Sequence, residues 1–204
     1  MHEEKYDLYI PEDITSKSIL DYGCGNGNLL NFGIDPNYYT GFEIDINAYQ
    51  YCVTQYPEYY FMFQDIYNEV YNKDGLRTFP KLNQSYDIIF AYSVFTHTTY
   101  EYFLKCINLF KEHLNPNGSI YISMILFEND KMLRYFSHKR NISFGSCDKI
   151  IPTSTVGYLR DNKYNTDLEI YDNFVSIYDK EFLSQHGTII ETSMNQDMLK
   201  INHD

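Results

Sequence analysis

Three glycines at alternate positions follow a short apolar run in ILDYGCGNGNLL, residues 19 to 30. Gly23, Gly25 and Gly27 permit backbone conformations that other residues avoid, and they let a ligand approach the main chain. Asp21 ends the apolar run before them. A strand, a glycine loop and a helix start together allow backbone N–H groups to face a polar ligand. The loop is therefore a candidate binding site, and the alternative is a glycine turn that binds nothing.

A second acid, Glu43, follows the loop at the end of the next predicted strand. A carboxylate placed there is suited to accept hydrogen bonds from both ribose hydroxyls of an adenosine-containing ligand. Asp45 competes for this role, and a solvated acid at a strand end is the alternative. The glycine loop and the acid together favour an adenosine-containing ligand.

The four cysteines, Cys24, Cys52, Cys106 and Cys147, form no CxxC pair and have no histidine at metal-ligand spacing. This pattern is typical of free thiols in a reducing compartment. We expect no zinc site, no other metal and no disulfide. Cys24 has no neighbouring histidine to activate it as a nucleophile.

An α/β framework must position these residues, because apolar runs alternate with helical patterns along the chain. The predicted parallel strands cover residues 17–23, 38–45, 59–63, 85–93 and 119–126. The predicted helices begin at Asn28 and cover residues 46–56 and 100–114. In the last of them, Phe103, Ile107, Phe110 and Leu114 recur at helical spacing, and NPNG at 115 to 118 is expected to end the helix and turn the chain.

The pattern weakens after the fifth strand, and residues 127–178 read as a long irregular region. A loop of this length inside a compact domain indicates a lid or a substrate-binding insertion. A final helix is predicted over residues 179–187. Strands over 188–195 and 197–203 are expected to form an antiparallel hairpin at the sheet edge. We predict a single domain over residues 1–204.

Composition limits the classes of partner that the protein is expected to bind. The formal net charge of -12 disfavours nucleic acid as a substrate. Apolar runs fall short of the roughly 20 residues that cross a bilayer, so we expect no membrane association. The acidic amino terminus does not resemble a secretory signal, which favours a cytoplasmic location.

The ordered set of motifs resembles the class I S-adenosylmethionine-dependent methyltransferases. LDYGCGNG resembles the first motif of that family, YTGFEID the second, FMFQDI the third and SYDIIFAYSVFTH the fourth, and later segments resemble its closing elements. The resemblance covers roughly residues 17–126 and 179–203. It implies a Rossmann-like seven-stranded α/β sheet of order 3-2-1-4-5-7-6, with the last strand antiparallel and helices on both sides in three layers.

The resemblance also implies roles for individual residues toward S-adenosylmethionine, whose demethylated product is S-adenosylhomocysteine. Asp21, Gly23 and Gly25 would hold the methionine portion, and Gly27 would let the helix pack closely. The remaining implied contacts are Glu43 with the ribose, Ile44, Asp65 and Ile66 around the adenine, and Ala91 and Tyr92 near the methionine amine and sulfonium.

Methyl transfer is an in-line displacement, so the protein must mainly align the acceptor and exclude water. His97 in SVFTH follows the fourth strand, where the substrate of the resembled family meets the methyl group. As a base that titrates near neutral pH it would remove the acceptor proton; a structural histidine is the alternative. Tyr92 and Tyr100 are candidates to shape the acceptor pocket.

We expect O-methylation of a small molecule or a saccharide. A non-catalytic S-adenosylmethionine-binding subunit and a protein methyltransferase are the alternatives. DPNY at 35 to 38 resembles an amino-methyltransferase signature, but it precedes the second strand, where it predicts an ordinary turn. An NAD-dependent oxidoreductase is disfavoured, because the glycine spacing differs and no catalytic Tyr-x-x-x-Lys is found in the expected place.

Overall fold

A computed structural model describes residues 8–11, 14–68, 71–126, 156–160, 174–178, 180–192 and 196–203 of the chain. The strands are β1 (Ile19–Tyr22), β2 (Tyr39–Glu43), β3 (Tyr60–Phe63), β4 (Tyr86–Ala91), β5 (Leu114–Met124), β6 (Val156–Arg160), β7 (Phe174–Tyr178), β8 (Thr188–Ile190) and β9 (Asp197–Asn202). The α-helices are α1 (Ile46–Gln55), α2 (Tyr100–Glu112) and α3 (Lys180–Ser184), and short 3-10 helices cover Asn28–Phe32, Pro36–Tyr38 and Phe95–His97.

Seven strands form one mixed sheet in the order β3-β2-β1-β4-β5-β9-β8. The first five run parallel, and β9 is antiparallel to both β5 and β8. This is the predicted order 3-2-1-4-5-7-6 with its antiparallel closing strand, which is therefore confirmed. The parallel strands pair through residues that are mostly buried. Their near-continuous apolar runs can be covered on both faces only inside a layered α/β domain.

Successive residues of the central strands enter two separate hydrophobic clusters. In β4, Ile89 belongs to one cluster, whereas Ile88 and Phe90 belong to the other. Side chains alternate between the faces of a sheet, so the clusters lie on opposite faces. One contains the buried face of α2, and the other contains Cys52 of α1. The sheet therefore forms the middle layer, as predicted.

Helix α2 follows its predicted pattern closely. Phe103, Ile107 and Phe110 are buried on its inner face, and the hydroxyl of Thr99 caps its amino end by accepting from the Tyr102 N–H. The next segment differs from the prediction. NPNG does not separate helix from strand, since β5 already begins at Leu114, opposite Tyr86. A register shift after this pair accommodates the extra residues, and Asn117 has a positive φ of 65°.

The region 127–178 is not wholly irregular, which corrects that part of the sequence reading. Strands β6 and β7 form an antiparallel ribbon within it. Tyr178 at the end of β7 is fully buried, and its hydroxyl donates to the Phe95 carbonyl. The Ser176 hydroxyl donates to the Thr98 carbonyl at 2.6 Å. The ribbon thus packs on the turn that carries His97, while residues 127–155 and 161–173 of the predicted lid lie outside the described residues.

Three smaller observations bear on the sequence expectations. Asp35 caps a short 3-10 helix over Pro36–Tyr38, so DPNY is an ordinary turn as predicted. Cys24, Cys52 and Cys106 are buried free thiols, and Cys147 lies outside the described residues. In the described parts of the chain, no helix is long and apolar enough to cross a membrane, and no cluster of side chains is placed to bind a metal ion.

Candidate active site

A cleft of about 910 Å³ opens beside the ends of β1, β2 and β4. Open α/β sheets bind ligands outside the carboxyl ends of their strands, where neighbouring connections diverge. One half of the cleft is lined by Asp21, Gly23, Gly25, Glu43, Ile44 and Asp45, all at the ends of β1 and β2. The other half is lined by residues of the β3–β4 connection and of the turn after β4, namely Tyr67, Asn68, Tyr71, Arg77, Ser93, Val94 and His97.

The glycine loop meets the cleft at one open position. Gly25 has a φ of 53°, and a Cβ atom built there would have no heavy atom within 4 Å. Gly23 differs, because a Cβ would lie 2.5 Å from the Cγ2 atom of Val94. Both backbone N–H groups are already used, since Gly23 donates to the Phe42 carbonyl and Gly25 to the Glu43 carboxylate. The loop therefore presents an open backbone face to the cleft, and Glu43 holds it in place.

Glu43 is buried, and its carboxylate binds three backbone N–H groups. Oε1 accepts from Ile44 at 2.7 Å and from Asp45 at 2.9 Å, and Oε2 accepts from Gly25 at 2.7 Å. Burial raises the pKa of Glu43, and these bonds oppose the rise. A carboxylate has about four acceptor positions, so one position on Oε2 stays open to a ligand hydroxyl. Binding both ribose hydroxyls, as expected above, would require a second position.

Asp21 is buried beneath the loop, and the Tyr39 hydroxyl donates to its Oδ2 at 2.9 Å. Burial raises the pKa of Asp21 to about 7; the bond from Tyr39 opposes the shift, and the nearby charge of Glu43 adds to it. A carboxyl held near its midpoint at neutral pH is easily ionised by a cation placed beside it. Asp45, the competing acid, instead caps α1 by accepting from Asn47 and Ala48.

Several predicted residues are placed away from the cleft lining. Asp65 is exposed, and its carboxylate accepts from Asn72 Nδ2 at 3.0 Å. Ile66 and Ala91 are buried in the hydrophobic cluster that contains α2. A Cβ at Gly27 would lie 3.0 Å from the Tyr56 ring, so this glycine permits close packing, as the resemblance implies. The predicted contacts of Asp65, Ile66 and Ala91 with the cofactor stay predictions.

Tyr92 does line the cleft, but its hydroxyl is engaged with the amino-terminal segment. It donates to the Tyr9 carbonyl, and its ring stacks on Phe90 at 5.4 Å between centroids. Burial raises the pKa of Tyr92 far above its ordinary value. Leu8 of the same segment also lines the cleft. The residues just before the first strand therefore close one side of the site.

His97 lines the cleft from the turn after β4, whereas Asp21 and Glu43 line it from the ends of β1 and β2. It is half-buried at the end of the 3-10 helix over Phe95–His97, and its backbone N–H donates to the Val94 carbonyl. The Tyr71 ring packs edge-on against the imidazole, with 5.5 Å between centroids. Asn68 Nδ2 donates to the His97 carbonyl at 3.4 Å. The β3–β4 connection thus supports the only histidine among the described residues that line the cleft.

A hydrogen-bonded triangle supports the turn before His97. Ser93 has a positive φ of 54°, and its N–H donates to the Ser123 hydroxyl at 2.7 Å. That hydroxyl donates to Gln196 Oε1 at 2.6 Å, and Gln196 Nε2 donates to the Ser93 hydroxyl at 2.9 Å. Strained backbone at a cleft persists where its surroundings fix it. Gln196, just before β9, therefore helps to fix Ser93, which lines the cleft.

Sequence reasoning missed this triangle and the side chains of the β3–β4 connection. Tyr67, Asn68, Tyr71 and Arg77 belong to no motif and follow no helical or strand period. The one available signal was charge, since an arginine in a strongly acidic chain is a candidate for binding an anion. Tyr39, which donates to Asp21, was counted only as a residue of the strand.

The site fits S-adenosylmethionine on three observations. Gly25 offers an open backbone face, Glu43 keeps one acceptor position for a hydroxyl, and Asp21 is a buried carboxyl suited to a positive group. Ile44 beside Glu43 gives an apolar surface for a planar ring, as the resemblance implies. The half that contains His97 is then available to the acceptor.

Two solved structures that match with TM-scores above 0.5 show the same fold. A S-adenosylmethionine-dependent methyltransferase from Methanosarcina mazei matches with 14% identity over 94% of each chain and a TM-score of 0.58. A methyltransferase from Clostridium acetobutylicum ATCC 824 matches with 13% identity over 91% of this chain and 83% of that one, with a TM-score of 0.54. The match to DesVI of Streptomyces venezuelae, at 20% identity and a TM-score of 0.40, covers 51% of this chain and only 41% of DesVI.

The profile of the methyltransferase domain family matches residues 3–183, which is most of the chain. The match spans the glycine loop, Glu43, the β3–β4 connection and His97. The chain therefore belongs to the methyltransferase domain family, with the fold of the class I S-adenosylmethionine-dependent methyltransferases.

Proposed function

We propose that the protein transfers the methyl group of S-adenosylmethionine to an oxygen of a small-molecule or saccharide acceptor, with His97 as the base. Family membership supports methyl transfer from this cofactor. One observation carries the rest: a single cleft holds two buried acids in one half and a supported histidine in the other. When bound, S-adenosylmethionine supplies a methyl group already activated by its positive sulfur.

The protein's own residues then have three tasks. Asp21 orients the cofactor by binding its positively charged group, and Glu43 orients it by accepting a hydrogen bond from a hydroxyl. Leu8 and Val94 line the cleft with apolar surface that excludes water from it. His97 accepts the proton that the acceptor hydroxyl must lose during the displacement, and a positioned base contributes roughly 10²- to 10⁴-fold to such a step.

The site favours a small acceptor over a nucleic acid. The chain has a net charge of -12, and the cleft itself is lined by three acids, Asp21, Glu43 and Asp45. Such a field repels a phosphate backbone. Tyrosine rings at positions 67, 71 and 102 also line the cleft, and rings of this kind pack well on sugars and aromatic compounds.

A labelled-methyl transfer screen over sugars, nucleotide sugars, small phenols and peptides tests the proposal. We expect an O-methylated product from a sugar or a phenol. His97→Asn should lower kcat about 100-fold while the affinity for S-adenosylhomocysteine stays unchanged. His203→Asn, on an exposed histidine outside the cleft, is the matched control. Labelling of peptides alone, an N-methyl product, or full turnover in the His97 variant would contradict the proposal.

A further inference from the structure

Arg77 is the only lysine or arginine among the described residues that line the cleft. Its guanidinium carbon lies 4.3 Å from the centroid of the Tyr67 ring. The side chain is exposed, and no ion pair joins it to an acid within the described parts of the chain. In a protein of net charge -12, the described partner of this positive charge is an aromatic ring and not a carboxylate.

The backbone around Arg77 is fixed by the β3–β4 connection. The Tyr67 N–H donates to the Leu76 carbonyl at 2.9 Å, and the Leu76 N–H donates to the Asp65 carbonyl at 3.1 Å. Ile66 and Leu76 form an isolated parallel bridge. Tyr67 and Arg77 are therefore held side by side, with the guanidinium carbon over the ring. A stacked guanidinium keeps the N–H groups at its edge available to bind an oxyanion with two parallel hydrogen bonds.

Arg77 lines the cleft from the same connection as two residues that contact His97. The connection that carries it also supplies Asn68 and Tyr71, and both contact His97. Asp21 and Glu43 line the cleft from the ends of β1 and β2. The cleft lining therefore combines acids at the ends of β1 and β2, which suit a cationic cofactor, with one positive charge on the β3–β4 connection that no described carboxylate neutralises.

We propose that the methyl acceptor carries a carboxylate or a phosphate group, and that Arg77 binds this group. The inference rests on the proposed function, because it places the acceptor beside His97. Arg77 selects the acceptor, since the acidic surroundings otherwise repel anions and offer them no other lysine or arginine in the described lining. Tyr67 is a positioning residue that orients the guanidinium.

Nuclear magnetic resonance tests whether Arg77 binds an anion, and the experiment does not require the acceptor to be identified. The chain has four arginines, Arg77, Arg134, Arg140 and Arg160, and the side-chain Nε–H signal that disappears in Arg77→Lys identifies Arg77. The full-length protein saturated with S-adenosylhomocysteine is titrated with inorganic phosphate and, separately, with benzoate at constant ionic strength. We expect a saturable shift of the Arg77 signal, with the other three arginines as internal controls. The tighter of the two probes indicates the kind of anion in the acceptor.

The affinities of three variants for the same anions provide a second test of the inference. Arg77→Gln should weaken binding of the preferred probe at least tenfold, because a charge-assisted pair is lost. Tyr67→Leu should weaken it severalfold, and Lys105→Gln, which removes an exposed charge from α2, should leave it unchanged. The affinity for S-adenosylhomocysteine should stay within twofold in all three variants.

Two results would overturn the inference. One is the absence of a saturable shift at Arg77 with either anion at 100 mM, which is about tenfold above the range where a single bidentate pair should bind. The other is a tenfold loss of S-adenosylhomocysteine affinity in Arg77→Gln, which would place the cofactor carboxylate on Arg77. Failure of the proposed function is distinct, because the methyl transfer screen and the His97→Asn variant report it, and neither measures anion binding at Arg77.

Discussion

Glu43 and Asp21 lie close to the same loop, yet their surroundings stabilise the ionised forms of the two carboxyls to different extents. Glu43 accepts three backbone N–H groups, which support its ionised form. Asp21 is buried with a single hydrogen bond, from Tyr39. Hydrogen bonds to a carboxylate stabilise its charge, and burial without them destabilises it. Asp21 is thus the acid whose protonation should change near neutral pH.

The stability of the unliganded protein should therefore depend on Asp21 and pH. The folded-state pKa of about 7 lies above the ordinary value of 3.8, so the folded protein retains this proton more tightly than the unfolded chain does. The contribution favours folding below pH about 4 and is lost as the pH rises through 7. Asp21→Asn, which cannot ionise, should be more stable than the unaltered protein at pH 8, by up to about 4 kcal/mol, and closer to it at pH 5.

Urea unfolding at both pH values measures this difference. Asp74→Asn, on an exposed carboxylate, is the control and should show no such change between pH 5 and pH 8. An Asp21→Asn variant whose stability relative to the unaltered protein is the same at both pH values would show that burial does not govern this carboxyl.

At the scale of elements, three neighbouring strands of the sheet, β4, β5 and β9, are joined at Ser93. This residue follows β4, its N–H partner Ser123 lies in β5, and Gln196 directly precedes β9. The neighbouring turn carries His97, and β7 packs on that turn through Ser176 and the Thr98 carbonyl. Elements distant in sequence therefore hold the acceptor half of the cleft.

Gln196→Leu should destabilise the fold by about 1 to 3 kcal/mol, because it removes the acceptor of the Ser123 hydroxyl and the donor to the Ser93 hydroxyl beside a strained turn. It should also reduce turnover, since His97 lies just beyond that turn. Urea unfolding and the methyl transfer assay measure the two effects. Gln185→Leu, on an exposed turn, is the control and should change neither. Unchanged stability in Gln196→Leu would mean that the triangle does not fix the turn.

The sequence allowed prediction of the elements more fully than of the contacts between them. Helix α2 and the closing hairpin were predictable because apolar runs and helical spacing are local patterns, and the strand order was predictable from the resemblance to the class I methyltransferases. The positions of Asp21 and Glu43 at the cleft were predictable because each lies at or next to the last residue of a buried strand. Gln196 was not, since it lies 103 positions from Ser93. Arg77 and Tyr67 were not, because loop hydrogen bonds, rather than any periodic pattern, bring them together.

At the scale of the whole molecule, the site lies where the two hydrophobic clusters approach the same edge of the sheet. Phe42 belongs to one cluster and Cys24 to the other, and both line the cleft. A ligand at this edge contacts residues that are packed on both faces of β1 and β2. Cofactor binding should therefore stabilise the domain as a whole.

S-adenosylhomocysteine at about 100 times its Kd should add about 2.7 kcal/mol of stability and raise the Tm by about 5 to 11 °C. Glu43→Gln should reduce this shift at the same concentration, because an amide nitrogen would face backbone N–H donors. Differential scanning calorimetry measures both, with Glu58→Gln on an exposed acid as the control. No shift in the unaltered protein at millimolar ligand would contradict the assignment of the cofactor.

The bond between Glu43 and the Gly25 N–H also limits how the protein could be redesigned for altered methyl donors. A donor analogue with a bulkier or missing hydroxyl would call for a different side chain at position 43. That exchange would release the loop as well as change the pocket. Engineers would need to vary both positions together, in paired libraries, because single-site saturation at Glu43 would mostly sample proteins whose loop has lost its anchor.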